Sequence, residues 1–439
     1  MKFIHFGCWN NGLCAPGQDN GLTKMTTLLN TYVSENKGNI EFITVAGDNY
    51  YPSKIEKKYN GKDEKLKIFN NKHFESGFKC LPKNIKKYIL FGNHEIEDNV
   101  IDDCRKTYNK DNTYEELQPL QEQCLSLILQ TTNKANIFKN DPSYQIFNDV
   151  ITIIRKNTLI IMFDTTIYTF KEKKDYEKKI NETCYQHLFK NIPNITGNST
   201  IGELMIYQES KIIDAINANK TCKNIIFIGH HPIACMVNKE KVKEGVKTKE
   251  NIFDHNYKII KFFNNMYEIL KNKNIYYLCA DTHFYEYSEI TITHNTQQSQ
   301  PQQSQELLIR QYIVGSGGAD LDKLPIYKDN IGELTQEHIT IDKIPIKYNI
   351  IEHTKSFGFI TVDIKQDDII SIEYHNTETK TKTKTKTKTK TKTKTKTKTE
   401  ETKSEETKSQ KTKSQKTSGG YLEKYLKYKA KYLQLKQNL

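Results

Sequence analysis

The chain has 439 residues, enough to bury a large core, and a formal net charge of +13. Twenty lysines and six glutamates lie in residues 376–439, so this segment carries +14 and the first 375 residues carry −1. The basic balance therefore belongs to the carboxyl-terminal segment and excludes a strongly basic, polyanion-binding body.

The apolar runs and the cysteines indicate whether the protein crosses a membrane, is secreted or contains disulfides. No apolar run approaches the length of a transmembrane helix, about 18 residues, and the amino end MKFIHFGCWNNG lacks the basic and apolar regions of a signal peptide. The nine cysteines are scattered without CxxC pairs, and their odd number argues against a complete disulfide framework. We therefore expect a soluble, intracellular protein with reduced thiols.

Short apolar runs rich in β-branched and aromatic residues predict strands at 2–7, 41–47, 87–92, 158–164, 224–229 and 274–280. Their nearly continuous hydrophobicity indicates strands that are covered on both faces. Stretches 210–220 and 256–274 have the apolar spacing of helices. Such alternation of strands and helices is typical of an α/β fold.

The later part of the body contains more strand-like runs and several polar stretches. Three runs close together predict a closing β-meander at 310–318, 357–364 and 369–375. Polar or lysine-rich composition predicts surface insertions at 54–80, 99–140 and 296–305.

After His375 the composition changes abruptly to an alternating Thr-Lys tract, followed by Thr, Lys, Ser, Glu and Gln up to Ser418. A segment with like charges at every second position and no apolar residue cannot bury enough surface to fold, so we predict a disordered linker over 376–418. Residues 419–439 predict a short, basic, amphipathic helix, because apolar side chains recur at helical spacing at Tyr421, Tyr425, Tyr428, Tyr432 and Leu435.

Metal-binding and phosphate-binding side chains directly follow four of the predicted strands. Each such motif alone is more often a structural turn than a functional site. Open α/β sheets place ligands outside the carboxyl ends of their strands, so four such motifs in order predict one shared cleft. The residues concerned are Asp48 and Tyr51 in VAGDNYY, Asn93 and His94 in LFGNHE, His230 and His231 in FIGHHP, and Asp281 and His283 in LCADTH.

The ordered set GDxxY, GNHE, GHHP and a final TH resembles the calcineurin-like metallophosphoesterase superfamily, and the Tyr of GDxxY points to its purple-acid-phosphatase-like branch. The resemblance covers residues 1–375, including YIVGSGG and FGFITV, which are similar to late strands of that branch. It implies a metallophosphoesterase domain over 1–375 with a four-layer α/β/β/α sandwich of mixed sheets.

Carried over residue by residue, the resemblance implies a site for two divalent or trivalent metal ions. Oxygen and imidazole ligands of this mixture suit Fe, Mn or Zn. Asp48 would bridge the ions, with Tyr51 and His283 on the first ion and Asn93, His230 and Asp281 on the second. His94 would bind the phosphate and assist the leaving oxygen. His231 would line the pocket or serve packing, and both interpretations stay open.

Two positions depart from the family pattern. The family has an Asp just after its first strand, where this chain has Cys8, and its Gly-His-x-His is here Ala280-Asp281-Thr282-His283. Exchange of His for Asp keeps a ligand, whereas a thiolate is softer than a carboxylate and prefers Zn or Fe. Three outcomes stay open: an active site with Cys8 as a thiolate ligand or a water in its place, a mononuclear, weak or altered activity, and a non-catalytic relic used for binding. We expect His5 to face the core rather than to replace the missing carboxylate.

The resemblance therefore implies a hydrolase that cleaves phosphate esters with a metal-activated water, acid-phosphatase-like reactions included. The alternative is a non-catalytic or weakly active binding or virion protein on a degenerate fold of the same family. The closing segment SGGYLEKYLKYKAKYLQLK resembles tails of giant DNA virus proteins, which implies a location in the host cytoplasm or virion. Such a tail would contact a protein partner, nucleic acid or an anionic surface.

Overall fold

The structure, a computed structural model, describes residues 1–51, 53–59, 62–68, 71–96, 138, 141–147, 149–169, 200–243, 246–294, 305–322, 337–341, 343–365 and 369–378. Its strands are β1 Lys2–Phe6, β2 Ile40–Ala46, β3 Ser53–Tyr59, β4 Lys62–Ile68, β5 Lys86–Leu90, β6 Tyr144–Ile146, β7 Ile151–Arg155, β8 Thr158–Met162, β9 Asn224–Ile228, β10 Ala234–Lys243, β11 Val246–His255, β12 Asn274–Cys279, β13 Tyr285–His294, β14 Gln305–Val314, β15 Glu337–Ile341, β16 Ile344–Thr354, β17 Gly358–Ile364 and β18 Ile370–Asn376. Its helices are α1 Gly21–Glu35, α2 Asn71–Cys80, α3 Asn93–Ile96, α4 Ile201–Ala218, α5 Tyr257–Asn265 and α6 Tyr267–Leu270.

Two mixed sheets form the body of the described structure. The first has six strands in the order β18-β17-β1-β2-β5-β6, with β1, β2, β5 and β6 parallel and β17 antiparallel to β1. The second has eight strands in the order β15-β16-β13-β14-β12-β9-β8-β7, with β8, β9, β12 and β14 parallel. The parallel strands of each sheet therefore end at one edge, which is where open α/β sheets bind ligands.

The two sheets face each other and helices cover their outer faces. His5 of β1 reaches the carbonyl oxygen of Cys279 at the end of β12 at 3.4 Å, and the backbone of Gly7 donates to Val314 of β14 at 3.0 Å. Helix α1 packs on β17 of the first sheet and α5 packs on β13 of the second. This is the four-layer α/β/β/α sandwich that the family resemblance implies.

Helix starts follow from local capping. The side chain of Asn20 accepts a hydrogen bond from the Thr23 backbone at the start of α1. Thr200 and Glu203 form a capping box at the start of α4, so this helix begins well before the predicted 210–220. The predicted helix at 256–274 is present as α5 and α6, which meet at Met266. The six predicted strands in the first 280 residues are confirmed as β1, β2, β5, β8, β9 and β12.

The predicted β-meander is wrong in its first member. Strand β14 pairs with β12 and β13 in the eight-stranded sheet, whereas β17 and β18 pair with each other at the edge of the six-stranded sheet. Apolar runs show where strands form, but the pairing partners here are distant in sequence. The predicted insertion 54–80 is also only partly at the surface, because Phe74 and Phe78 of α2 are buried in the core.

The expectation of reduced thiols is wrong for one pair. Cys14 and Cys80, which are 66 residues apart, form a disulfide between the segment after β1 and the end of α2. Folding brings these two elements together, since Asn10 donates to the Phe74 carbonyl at 3.0 Å and the Cys14 backbone donates to Ser76 at 3.2 Å. The free cysteines among the described residues are Cys8, Cys222, Cys235 and Cys279, all buried.

Several predicted segments lie outside the described residues, namely the insertion 99–140 except residue 138, most of 296–305, the linker after residue 378 and the helix 419–439. The domain boundary at residue 375 stays a prediction. Among the described helices, none combines the length and the apolar composition needed to cross a bilayer.

Candidate metal centre

The candidate ligands follow the carboxyl ends of parallel strands in both sheets. Asp48 follows β2, Asn93 follows β5, His230 follows β9 and Asp281 follows β12. Three residues at such strand ends have left-handed backbone conformations, with φ of 51° at Cys8, 50° at Asp48 and 61° at Asp281. A non-glycine residue held at positive φ costs free energy, and such positions cluster at functional sites.

Three oxygen atoms surround the ring nitrogen Nε2 of the buried His230. Nδ1 of this ring lies 2.5 Å from the Ala46 carbonyl and donates its proton there, which leaves Nε2 facing the other side chains. Nε2 lies 3.1 Å from Asn93 Oδ1, 3.2 Å from Asp48 Oδ1 and 3.6 Å from Asp281 Oδ1. Such a cluster of acceptors needs a positive charge, which a proton on Nε2 or a metal ion would supply.

A second group of side chains lies on the other side of Asp48. The Tyr51 hydroxyl is 3.1 Å from Asp48 Oδ2 and 3.0 Å from His283 Nε2. Cys8 Sγ lies 3.7 Å from the same Oδ2 atom. Nδ1 of His283 is 2.7 Å from the Asp320 carbonyl, so this ring is also fixed with Nε2 toward the site.

Charges in the site are strongly coupled. Burial disfavours the imidazolium of His230, but the adjacent Asp48 raises the pKa of His230 to about 10. Burial opposes ionisation of Asp48, yet the charge of His230 holds the pKa of that carboxyl below its usual range. Burial and then the Asp48 charge raise the pKa of the Cys8 thiol and of the Tyr51 hydroxyl. Without a metal ion, the protein therefore keeps Cys8 and Tyr51 protonated.

His94 and His231, the other two histidines of the site, differ in their exposure to solvent. The His94 side chain is 26% exposed, and its Nε2 is 3.8 Å from Asp48 Oδ2. Its ring contacts that of Tyr51 in a tilted arrangement, with 4.6 Å between the ring centroids. The His231 side chain is only 9% exposed and its Nε2 is 3.9 Å from Asp281 Oδ1. His94 is thus at the mouth of the site and His231 is behind Asp281.

The structure brings all nine sequence-predicted site residues into one cluster. His5 is separate, since its ring nitrogens contact the Thr44 hydroxyl at 2.9 Å and the Cys279 carbonyl, and burial lowers the pKa of His5 to about 3. It is a core residue, as the sequence predicts.

Two residues that support the site were missed from the sequence. The Thr165 hydroxyl, after β8, accepts hydrogen bonds from the backbones of His230 at 2.8 Å and His231 at 2.9 Å. The buried Glu95 carboxylate accepts from the backbones of Asp48 and Asn49. Glu95 belongs to the GNHE motif and so gave a signal, whereas no pattern marks Thr165.

The residues present fit metal ions. Two groups of described side chains each place their ligand atoms within 4.8 Å of one another, namely Cys8 with Asp48 and His230, and His230 with His231 and Asp281. Carboxylate, amide, phenol and imidazole donors suit Fe, Mn and Zn, and the thiol of Cys8 adds a softer donor suited to Zn or Fe. His230 and His283 are held with their Nε2 atoms toward the other donors, as metal-ligating histidines are.

Comparisons with known proteins identify the family to which the chain belongs. No curated protein matches the sequence. The purple acid phosphatase PPD1 from yellow lupin (Lupinus luteus) seeds has a solved structure with a TM-score of 0.43 and 11% identity, matching 87% of this chain and 52% of that one. The chain thus spans about half the length of that protein. The sequence model of the calcineurin-like phosphoesterase family matches residues 1–285, which include every candidate ligand from Cys8 to His283. The chain belongs to the calcineurin-like phosphoesterase family.

Proposed function

We propose that this protein is a metal-dependent phosphoesterase that hydrolyses phosphate esters at a centre of two metal ions, Fe, Mn or Zn. One observation carries the proposal. The two carboxylate oxygens of Asp48 face different donor groups, Oδ1 toward His230 and Oδ2 toward Tyr51 and Cys8. A buried carboxylate between two sets of ligand side chains is suited to bridge two cations. A buried acid without a bound cation would not require ligand side chains at both of its oxygens.

The ligand sets follow from these distances and from the family pattern. Bound ions of this kind lower the pKa of a coordinated water and neutralise charge on the phosphate. The first ion would be held by Cys8, Asp48, Tyr51 and His283, and the second by Asp48, Asn93, His230 and Asp281.

His94 is the residue that we assign to proton transfer. Its side chain is more exposed than that of His231, and its backbone N–H donates to Asp48 Oδ1 at 3.2 Å, which holds the backbone of His94 beside the site. From there the imidazole would bind a phosphate oxygen and protonate the leaving oxygen. His231 is too enclosed for that role and supports Asp281 instead.

A second candidate function is binding of phosphate esters without turnover. The presence of Cys8 favours binding without turnover, because a buried thiol with a raised pKa is a poorer metal ligand than the carboxylate of the family pattern. In that case metal ions would still bind at His230, and hydrolysis would be absent.

The test is turnover of a generic aryl phosphate by the full-length chain, made metal-free and then supplied with Mn, Fe or Zn. We expect metal-dependent hydrolysis that Asp48→Ala abolishes and that His94→Ala lowers by about 100-fold or more. The control is His294→Ala, because His294 contacts Asn264 and Tyr267 away from the site. Turnover unaffected by Asp48→Ala would refute the proposal, and binding of metal without turnover would favour the second candidate.

A further inference from the structure

The side chain of Glu95 connects two ligand-bearing turns. One turn follows β2 and contains Asp48, and the other follows β5 and contains Asn93. Glu95 is 5% exposed and lies in α3, one turn past the end of β5. Its oxygen Oε2 accepts hydrogen bonds from the backbone N–H groups of Gly92 at 2.6 Å and Asp48 at 3.1 Å. Oε1 accepts from the backbone of Asn49 at 2.5 Å.

The hydrogen bonds to Glu95 stabilise a turn in which Asp48 has a backbone conformation that costs free energy. Gly47 has φ of 81° and Asp48 has φ of 50°, so two consecutive residues are in the left-handed region. The backbone N–H groups that this turn exposes to the interior need acceptors, because a buried donor without a partner is destabilising. A carboxylate offers only acceptors, and Glu95 supplies them to both turns at once.

The two turns are also unusually close. A Cβ atom on Gly92 would lie 2.2 Å from Asp48 Oδ1 and 2.7 Å from the Asp48 backbone nitrogen. A Cβ atom on Gly47 would lie 2.5 Å from the Gly92 nitrogen. The Asn49 side chain adds a second connection, donating to the Leu90 carbonyl at 2.6 Å. Small errors in the relation of these turns would therefore displace Asp48 and Asn93 relative to each other.

We propose that Glu95 is a positioning residue, whose carboxylate fastens the turn after β2 to the turn after β5 and so sets the distance between Asp48 and Asn93. The inference rests on the proposed function, in which these two side chains hold the same metal ion. Both Glu95 oxygens are engaged by backbone N–H groups, so Glu95 acts through Asp48 and Asn93 rather than by contact with the substrate.

The test compares Glu95→Gln with Glu286→Gln in the full-length chain. Glu286 is also buried and accepts a hydrogen bond from Tyr348, but its contacts lie away from the ligand-bearing turns, so the same chemical change is made at a matched site. Glutamine at 95 replaces an acceptor oxygen with an NH₂ group that faces backbone donors. We expect Mn²⁺ affinity, measured by titration calorimetry, to fall by about 10- to 100-fold in Glu95→Gln and to stay unchanged in Glu286→Gln.

A second readout separates positioning from general destabilisation. Hydrogen–deuterium exchange of metal-free protein should be faster in Glu95→Gln at the peptide containing Asp48 and Asn49, with the peptide containing His230 unchanged. Wild-type Mn²⁺ affinity together with wild-type exchange at Asp48 and Asn49 would overturn the proposal. Because exchange is measured without metal, it decides the role of Glu95 even if the wild-type chain bound no metal, an outcome that would refute the proposed function alone.

If Glu95→Gln does not yield folded protein, Glu95→Asp takes its place. This variant keeps the carboxylate but shortens the side chain, so it cannot reach all three N–H groups. We expect the same changes to smaller extents, and unchanged affinity and exchange in Glu95→Asp would overturn the proposal.

Discussion

At the scale of single residues, the site depends on where two atoms of Asp48 point. Its Oδ1 atom faces His230 at 3.2 Å and its Oδ2 atom faces the Tyr51 hydroxyl at 3.1 Å. Cys8 has φ of 51° at the end of β1, close to the φ of 50° at Asp48. Asp adopts this left-handed conformation more readily than most residues, so the backbone at Cys8 suits the carboxylate that the family pattern has there.

The role of Cys8 is open to a spectroscopic test. In Co²⁺-loaded protein we expect a near-ultraviolet thiolate-to-cobalt absorption band, which Cys8→Ser removes and Cys222→Ser, a change at another buried thiol, leaves in place. We also expect Cys8→Asp to tighten metal binding by about tenfold, since a hard carboxylate replaces a thiol that must first lose its proton. A wild-type spectrum without the band would show that Cys8 is not a ligand.

Site residues could be predicted from the sequence because each directly follows an apolar run that becomes a parallel strand. Glu95 and Thr165 could not be assigned, since their partners are backbone N–H groups of turns that become neighbours only on folding. The disulfide between Cys14 and Cys80 escaped prediction for the same reason, because no local spacing indicates a pair 66 residues apart.

At the scale of secondary structure elements, the turns after β2 and β9 are stabilised by side chains from the segments that follow the adjacent strands of the same sheet. Glu95 follows β5, the neighbour of β2, and the Thr165 hydroxyl follows β8, the neighbour of β9. Strand positions were predictable from apolar runs, but the assignment of β14 to the second sheet was not, because that pairing is non-local. The burial of Glu286 in β13 was not predictable either, because no local sequence pattern marks it.

Glu286 gives stability a dependence on pH. Burial raises the pKa of Glu286 to about 7 from its ordinary 4.5. Because the pKa of Glu286 is higher in the folded than in the unfolded state, its stabilising contribution is complete below pH 4.5 and is lost as pH rises through about 7. Glu286→Gln lacks this loss, so we expect its free energy of unfolding to gain on the order of 3 kcal/mol relative to wild type between pH 4.5 and pH 8. Urea unfolding at both pH values measures it, and a difference that does not change with pH would contradict the assignment.

At the scale of the whole molecule, the candidate metal ligands and the excess positive charge lie in different parts of the chain. The candidate ligands lie within residues 1–285, which match the family, while the +14 charge lies in residues 376–439. Attraction to polyanions should therefore reside in the carboxyl-terminal segment, and catalysis should not depend on it.

Removal of residues 379–439 tests this division. We expect the shortened chain to lose its salt-sensitive retention on immobilised DNA, because nearly all of the excess lysine is removed. Its thermal unfolding midpoint and aryl phosphate turnover should equal those of the full chain. Unchanged retention on DNA would place the polyanion-binding surface in the body of the protein instead.

Asp48 would bridge two metal ions, and the number of ions bound per chain is the direct test of that role. Metal-free protein is dialysed against Mn²⁺ or Zn²⁺ and its bound metal is measured for the wild type, His283→Ala and Asp48→Ala. We predict two ions per chain in the wild type, one in His283→Ala, which keeps the His230 group intact, and marked loss of both in Asp48→Ala. Equal metal content in the wild type and Asp48→Ala would contradict a bridging role for Asp48.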